Sequence, residues 1–285
     1  IGYDSLAGYL EDSYYMGATI GRFANRIADA SFTIDRKTFH LEANDGNNTN
    51  HGGFSGFHNK VWQWEELPDG IRFSLYSPDG EGGFPGNIRV ITDYRFNEDN
   101  ELSVRHYAET DCATYINMTN HAYFNLCGKG KKITEHRLHI PADRILDTTP
   151  AFIPTGKRMN VKNTPFDFTS LKPIGTDLYA DHEQLLWNKG YNHCYILKDE
   201  ISVEMLEAAS LYEPVTGRKM TVMTDLPAVL LYTAGYYERP DTAVCLETQF
   251  YPDTPSHSDF PSCLVLPEKA YEHCTLFHFQ VQKEE

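Results

Sequence analysis

A chain of 285 residues with 25 Lys and Arg against 40 Asp and Glu has a formal net charge of −15, which disfavours nucleic acid and anionic membrane surfaces as partners. It has no apolar run of about 18 residues and no signal-peptide pattern, so nothing in it directs the chain through a membrane. The length supports a sizeable core, and no Pro/Ser-rich linker, charge block or low-complexity stretch divides it, so residues 1–285 read as a single domain. Six scattered cysteines without a Cys-x-x-Cys spacing read as free, buried thiols of a cytoplasmic protein.

Taken in chain order, a helical pattern near Tyr3 to Tyr14 comes first. Phe32-Thr33-Ile34 and Thr38 to Leu41 flank Asp35-Arg36-Lys37 and predict a tight hairpin. Strands are predicted at Trp62–Glu65, Ile71–Tyr76, Ile88–Tyr94, Leu102–Ala108 and Ala113–Met118, where β-branched and aromatic residues alternate with polar ones. Ala180–Trp187 is the second helical segment. Further strands follow at Lys219–Met223, Val229–Tyr232, Val244–Gln249 and Thr275–Val281. Many short strands with turn residues between them and little helix predict an all-β sandwich or barrel.

Two stretches carry candidate chemistry. In Asn117 to Leu126, His121 is ringed by Asn, Thr and Tyr side chains, the composition of a pocket wall for a hydroxyl-bearing ligand. In Val244 to Gln249, Glu247 interrupts an apolar strand. A buried histidine and a buried glutamate are the two halves of a general acid/base pair. Each residue alone reads more readily as structural: His121 as a core histidine satisfied by backbone groups, Glu247 as a paired or exposed strand glutamate. Other signals are weak. Gly80, Gly82, Gly83 and Gly86 do not fit a dinucleotide fingerprint. His136 and His139 lack a third metal ligand at zinc-like spacing and read as a solvated strand edge.

Several motifs together resemble the aldose 1-epimerase, or galactose mutarotase, family. They are Gly21-Arg22-Phe23-Ala24-Asn25-Arg26, Asn50-His51-Gly52-Gly53, Asp79 to Asn87, Thr119-Asn120-His121-Ala122-Tyr123-Phe124-Asn125, Ile153-Pro154-Thr155-Gly156 with Thr164 to Phe168, and Leu246-Glu247-Thr248-Gln249 with Pro252-Asp253. The resemblance runs the length of the chain and implies a large, curved antiparallel β-sandwich. It implies an isomerase that interconverts the α and β anomers of free aldohexoses, galactose or glucose, by acid/base ring opening without a cofactor or metal. On it, Glu247 is the base and His121 the acid. The histidine is then expected to be raised toward neutrality by a nearby carboxylate, as desolvation raises the glutamate. Asn25, Arg26, His51, Tyr123 and Asn192 become substrate-binding residues, with Gly52 and Gly53 letting the backbone approach the ligand closely.

Departures from the pattern bear on the substrate. Asn192 stands in Gly190-Tyr191-Asn192-His193 where the family usually has Asp, and Leu226 stands where some members carry a polar sugar contact. Two alternatives stay open: action on another or modified sugar, or carbohydrate binding without turnover. A phosphorylated sugar would call for extra Lys or Arg at the pocket, and no such cluster is visible. The residues from Ile1 to Leu6 resemble an internal family segment, so strands ahead of Ile1 are expected in a full-length relative. The oligomeric state is not legible.

Overall fold

The computed structural model describes residues 1–128 and 130–282. Two antiparallel sheets dominate it. The larger has nine strands in the order Lys172–Pro173, Arg137–His139, Leu206–Tyr212, Arg218–Thr224, Tyr271–Val281, Glu101–Thr110, Ile88–Phe96, Gly70–Ser77 and Gln63–Leu67. The smaller has five: Pro154–Asn160, Arg144–Thr148, Asn192–Ile196, Ala228–Tyr232 and Cys245–Gln249. The expected all-β sandwich is what forms.

The period-2 alternation explains how the sheets meet. Val229 and Leu231, Leu246, and Tyr195 point from the smaller sheet into a core shared with Leu211, Met220, Val222 and Phe277 of the larger one. Fully burying such side chains contributes about 1.5–3 kcal/mol each. The remainder of the large sheet, through Ile88, Val90 and Ala108, is covered by Phe23, Ile27, Phe32, Phe57 and Phe84 from the first fifth of the chain and the loop after Ser77. Within that covering layer Ser31–Ile34 pairs with Lys37–His40, and the turn residues Asp35 and Arg36 have φ of 48° and 69°. Two consecutive left-handed residues match a hairpin turn to the twist of its strands.

Several local expectations are corrected. The helix near Tyr3 to Tyr14 is confined to Leu6–Leu10, because the Asp12 carboxylate accepts from the Tyr14 and Met16 amides and the Tyr3 hydroxyl and holds a loop there. The run Ala113–Met118 is cut to the strand Thr114–Tyr115, which pairs with Leu264–Val265, and the next strand, Thr119–Asn120, lies beyond it and pairs with Thr19–Ile20. Between them Asn117 forms an isolated bridge with Phe23, and its side chain accepts from the Phe250 amide and donates to the Ala24 and Phe250 carbonyls. His136 is buried and accepts from the Leu126 amide, so it is not on a solvated edge. The six cysteines are free, yet only Cys194, Cys245 and Cys263 are buried; Cys127 and Cys274 are half-buried and Cys112 is exposed.

Candidate active site

Residues opposite the shared core on the smaller sheet make the floor of a cavity of about 300 Å³. Strand register places them. Asn192 lies opposite Tyr232, Tyr232 opposite Cys245, and Leu230 opposite Glu247. Because side chains alternate, the strand that sends Leu246 into the core must send Cys245 and Glu247 outward. Loops close the walls: Ser13 to Tyr15, Asn25 and Arg26, Asp45, Asn50 and His51, His121 and Tyr123, Phe152 and Tyr236.

Asn25, Arg26, His51, His121, Tyr123, Asn192 and Glu247, scattered over more than two hundred residues of sequence, all line this one cavity. His121 follows the two-residue strand Thr119–Asn120 and is fixed by its own backbone, which donates to the Ala18 carbonyl and accepts from the Gly17 amide. Its ring stacks on Tyr123 with centroids 5.1 Å apart. Its Nε2 lies 3.6 Å from Oε1 of Glu247, and its Nδ1 lies 3.7 Å from the Cys245 sulfur. With the thiol donating to Nδ1, Nε2 carries the proton and faces the carboxyl.

Glu247 is 1% exposed, and among the described residues neither carboxyl oxygen has a hydrogen-bond partner. Desolvation with no compensating donor pushes its pKa up to about 8. Burial acts the other way on a base: His121 is pushed down to about 4. The expected rise of His121 beside a carboxylate is therefore corrected, since at neutrality Glu247 is itself uncharged and offers no compensating field. Both groups are neutral near pH 7, and together they hold a single acidic proton.

The polar wall is built by contacts with the backbone. His51 Nδ1 accepts from the Asn25 amide at 3.1 Å, leaving Nε2 to carry its proton; burial holds the ring neutral. The Asn25 side-chain oxygen accepts from the Arg26 amide. Arg26 Nε donates to Asp45 at 2.6 Å, and its guanidinium lies over Phe152, 4.8 Å from the ring centroid. The Tyr123 hydroxyl donates to the Tyr14 carbonyl, and the Asn192 amide donates to His193 Nδ1.

Two further expectations are corrected here. Gly52, at φ 83°, approaches the Gly21 carbonyl so closely that a Cβ would lie 2.2 Å from its oxygen; its freedom serves backbone packing rather than ligand approach. Leu226 is buried in the second core with Phe250 and Tyr271 and does not line the cavity. Arg22 of the Gly-Arg motif is also structural: its buried guanidinium donates to the carbonyls of Ser77, Pro78, Pro85 and Gly86 and anchors the loop that covers the large sheet. Tyr15, Asp45, Phe152, Tyr232 and Tyr236 were not anticipated as wall residues. Only Tyr232 carried a signal, its place at the end of an apolar strand one residue out of phase with the core.

The aldose 1-epimerase family model matches residues 1–278. A galactose mutarotase of Bos taurus is 38% identical over 99% of this chain and 83% of its own length. An aldose 1-epimerase of Escherichia coli (strain K12) is 34% identical over 95% and 82%. The crystal structure of an aldose epimerase homologue from C. elegans superposes with a TM-score of 0.88 at 26% identity, covering 98% of this chain and 87% of that one. With motifs, fold and full-length similarity in agreement, this chain belongs to the aldose 1-epimerase family.

Proposed function

We propose that the protein is an aldose 1-epimerase, an isomerase that binds a free aldohexose, galactose or glucose, and interconverts its α and β anomers. The observation that carries this reading is the buried, unpartnered Glu247 carboxyl set 3.6 Å from His121 at the floor of a polar cavity. Ring opening requires one group to accept the C1 hydroxyl proton and another to protonate the ring oxygen. Glu247 as carboxylate takes the first proton and His121 as imidazolium gives the second; the aldehyde turns about C1–C2 and the ring closes on its other face with the transfers reversed. That starting form differs from the resting pair only by movement of one proton from Glu247 to His121, at constant net charge. Sugar hydroxyls donating to the carboxylate favour the shift. The proton count closes with these two side chains, so the step needs no cofactor.

Arg26, Asn25, His51 and Asn192 hold the sugar hydroxyls in this reading, and the Tyr123 ring supports His121 and offers a face to the sugar. Arg26 is the only Lys or Arg among the described lining residues and is already paired with Asp45, which favours a neutral sugar over a phosphorylated one. We read residues 1–285 as one domain, because the two main cores draw on residues 104–277 and 23–271 and so interleave along the chain. Six free cysteines support a cytoplasmic location. No helix among the described residues is long and apolar enough to cross a membrane.

The test is polarimetry of freshly dissolved α-galactose and α-glucose. Protein in catalytic amounts is expected to accelerate the approach to the equilibrium rotation. Binding of either sugar with no acceleration would make the protein a carbohydrate binder instead.

A further inference from the structure

The catalytic pair has a third neighbour that the ring-opening chemistry does not use. Cys245 is two residues before Glu247 on the same strand and the same outward face, fully buried, with its sulfur against His121 Nδ1. One donor atom each from His121, Cys245 and Glu247 can be chosen so that all three lie within 4.8 Å of one another. We propose that this triad is a binding site for a soft divalent cation of the zinc or cadmium class, and that the bound cation reversibly blocks the catalytic pair.

The donor set fits that class. Imidazole, thiolate and carboxylate together suit zinc, whereas a thiolate ligand disfavours magnesium and calcium. A tetrahedral zinc with bonds of about 2.0–2.3 Å holds its ligand atoms roughly 3.3–3.7 Å apart. The sulfur–Nδ1 separation of 3.7 Å already falls there. The carboxyl supplies the remaining movement, since neither of its oxygens is tied by a hydrogen bond among the described residues. Three protein ligands leave a fourth position open to water. His121 contributes a lone pair as neutral imidazole. The Cys245 thiol and the Glu247 carboxyl each release a proton to solvent as their bonds to the cation form, and no electron transfer is involved.

Binding and inhibition separate in the test, because only the inhibition rests on the epimerase reading. Cobalt(II) added to the wild-type protein should give a thiolate-to-cobalt charge-transfer absorption that zinc displaces and galactose suppresses. In Cys245→Ser that band should vanish, although the other five cysteines remain. In the polarimetric assay zinc should inhibit, a chelator should restore the rate, and galactose should raise the zinc concentration needed. Cys245→Ser should require about tenfold more zinc or greater. Should Cys245→Ser not fold, Cys245→Ala and Glu247→Gln take its place with the cobalt band as readout. A band of equal intensity without Cys245, or zinc inhibition no stronger than that by equal magnesium, overturns the proposal. A cobalt band with the expected dependence in a protein that does not accelerate mutarotation upholds the site and overturns the function.

Discussion

Asp93 and Glu247 are both carboxylic acids withdrawn from solvent, at 2% and 1% exposure, and their pKa values move in opposite directions. Asp93, on the large sheet, receives Nε and Nη2 of Arg72 at 2.7 and 2.9 Å, and this paired guanidinium lowers it. Glu247, on the outer face of the small sheet, receives nothing among the described residues and is raised to about 8. Burial therefore does not decide ionisation; the partner does. A carboxylate that serves the fold is given its counter-ion. The carboxyl proposed to exchange a proton with the sugar is left without one.

The comparison breaks most readily at Glu247. Glu247→Gln keeps the shape but cannot accept a proton, and we expect the anomerisation rate to fall by about a hundredfold or more while sugar binding persists. His121→Asn should lose a comparable factor by removing the donor to the ring oxygen. Polarimetry paired with calorimetric titration of sugar separates rate from binding; near wild-type turnover in Glu247→Gln would falsify the assignment. Asp93→Asn, by contrast, should leave turnover per folded molecule close to wild type.

The same pair of variants sharpens the comparison in stability. Glu247 has a folded pKa near 8 against an ordinary 4.5, so the fold favours its protonated form. Its contribution is complete below about pH 4.5 and is lost as pH rises through 8. Glu247→Gln lacks that loss, and its melting temperature should gain on the wild type steadily from pH 5 to 8, by about a few degrees. Asp93 is shifted the other way, so its contribution is present above its unfolded pKa and lost as pH falls through its lower folded value. The deficit of Asp93→Asn should be full at neutrality and narrow in acid. Melting curves in a buffer series test both slopes, and equal slopes for the two variants would sink the contrast.

A pair holding one proton also sets the activity profile. Near pH 4 His121 takes up a second proton, and near pH 8 Glu247 gives up the shared one, so kcat/KM should fall outside those limits and be flat between them. A half-height at pH 6.5 would show that the histidine is not held down by burial. The smallest effect is expected at Asn192. Asn192→Asp changes one hydroxyl contact in the proposed complex, worth about fivefold in KM for galactose or glucose, with kcat little changed.

Much of the fold was legible because it is written in alternation. The strands around Val90, Val104 and Leu231 and the hairpin at Asp35-Arg36 follow directly from side-chain periodicity. Leu206–Tyr212 escaped because a register shift between Glu207 and Ala209 buries Ala208 and Ala209 together and interrupts that period. In the site, the motif resemblance carried His121, Glu247 and the residues around them. Asp45, Phe152 and Tyr236 stand on loops, where neighbouring residues place no side chain on a predictable face. The sense of the His121 shift was misjudged because it depends on whether Glu247 is charged, and that is settled by packing rather than by the sequence around either residue.

The strand Cys245–Gln249 places a carboxyl and a leucine on adjacent positions, with Glu247 toward the cavity and Leu246 in the main core. Sliding this strand by one residue against Ala228–Tyr232 would exchange them, driving an ionisable group among Val229, Leu231 and Phe277 and exposing leucine to the sugar. The carboxyl is already buried without a hydrogen-bond partner among the described residues in the native register, so what the slip removes is its place 3.6 Å from His121 at the cavity floor. Glu247 meets His121 only in the native register, so a molecule that completes its small sheet has also aligned its candidate acid/base pair.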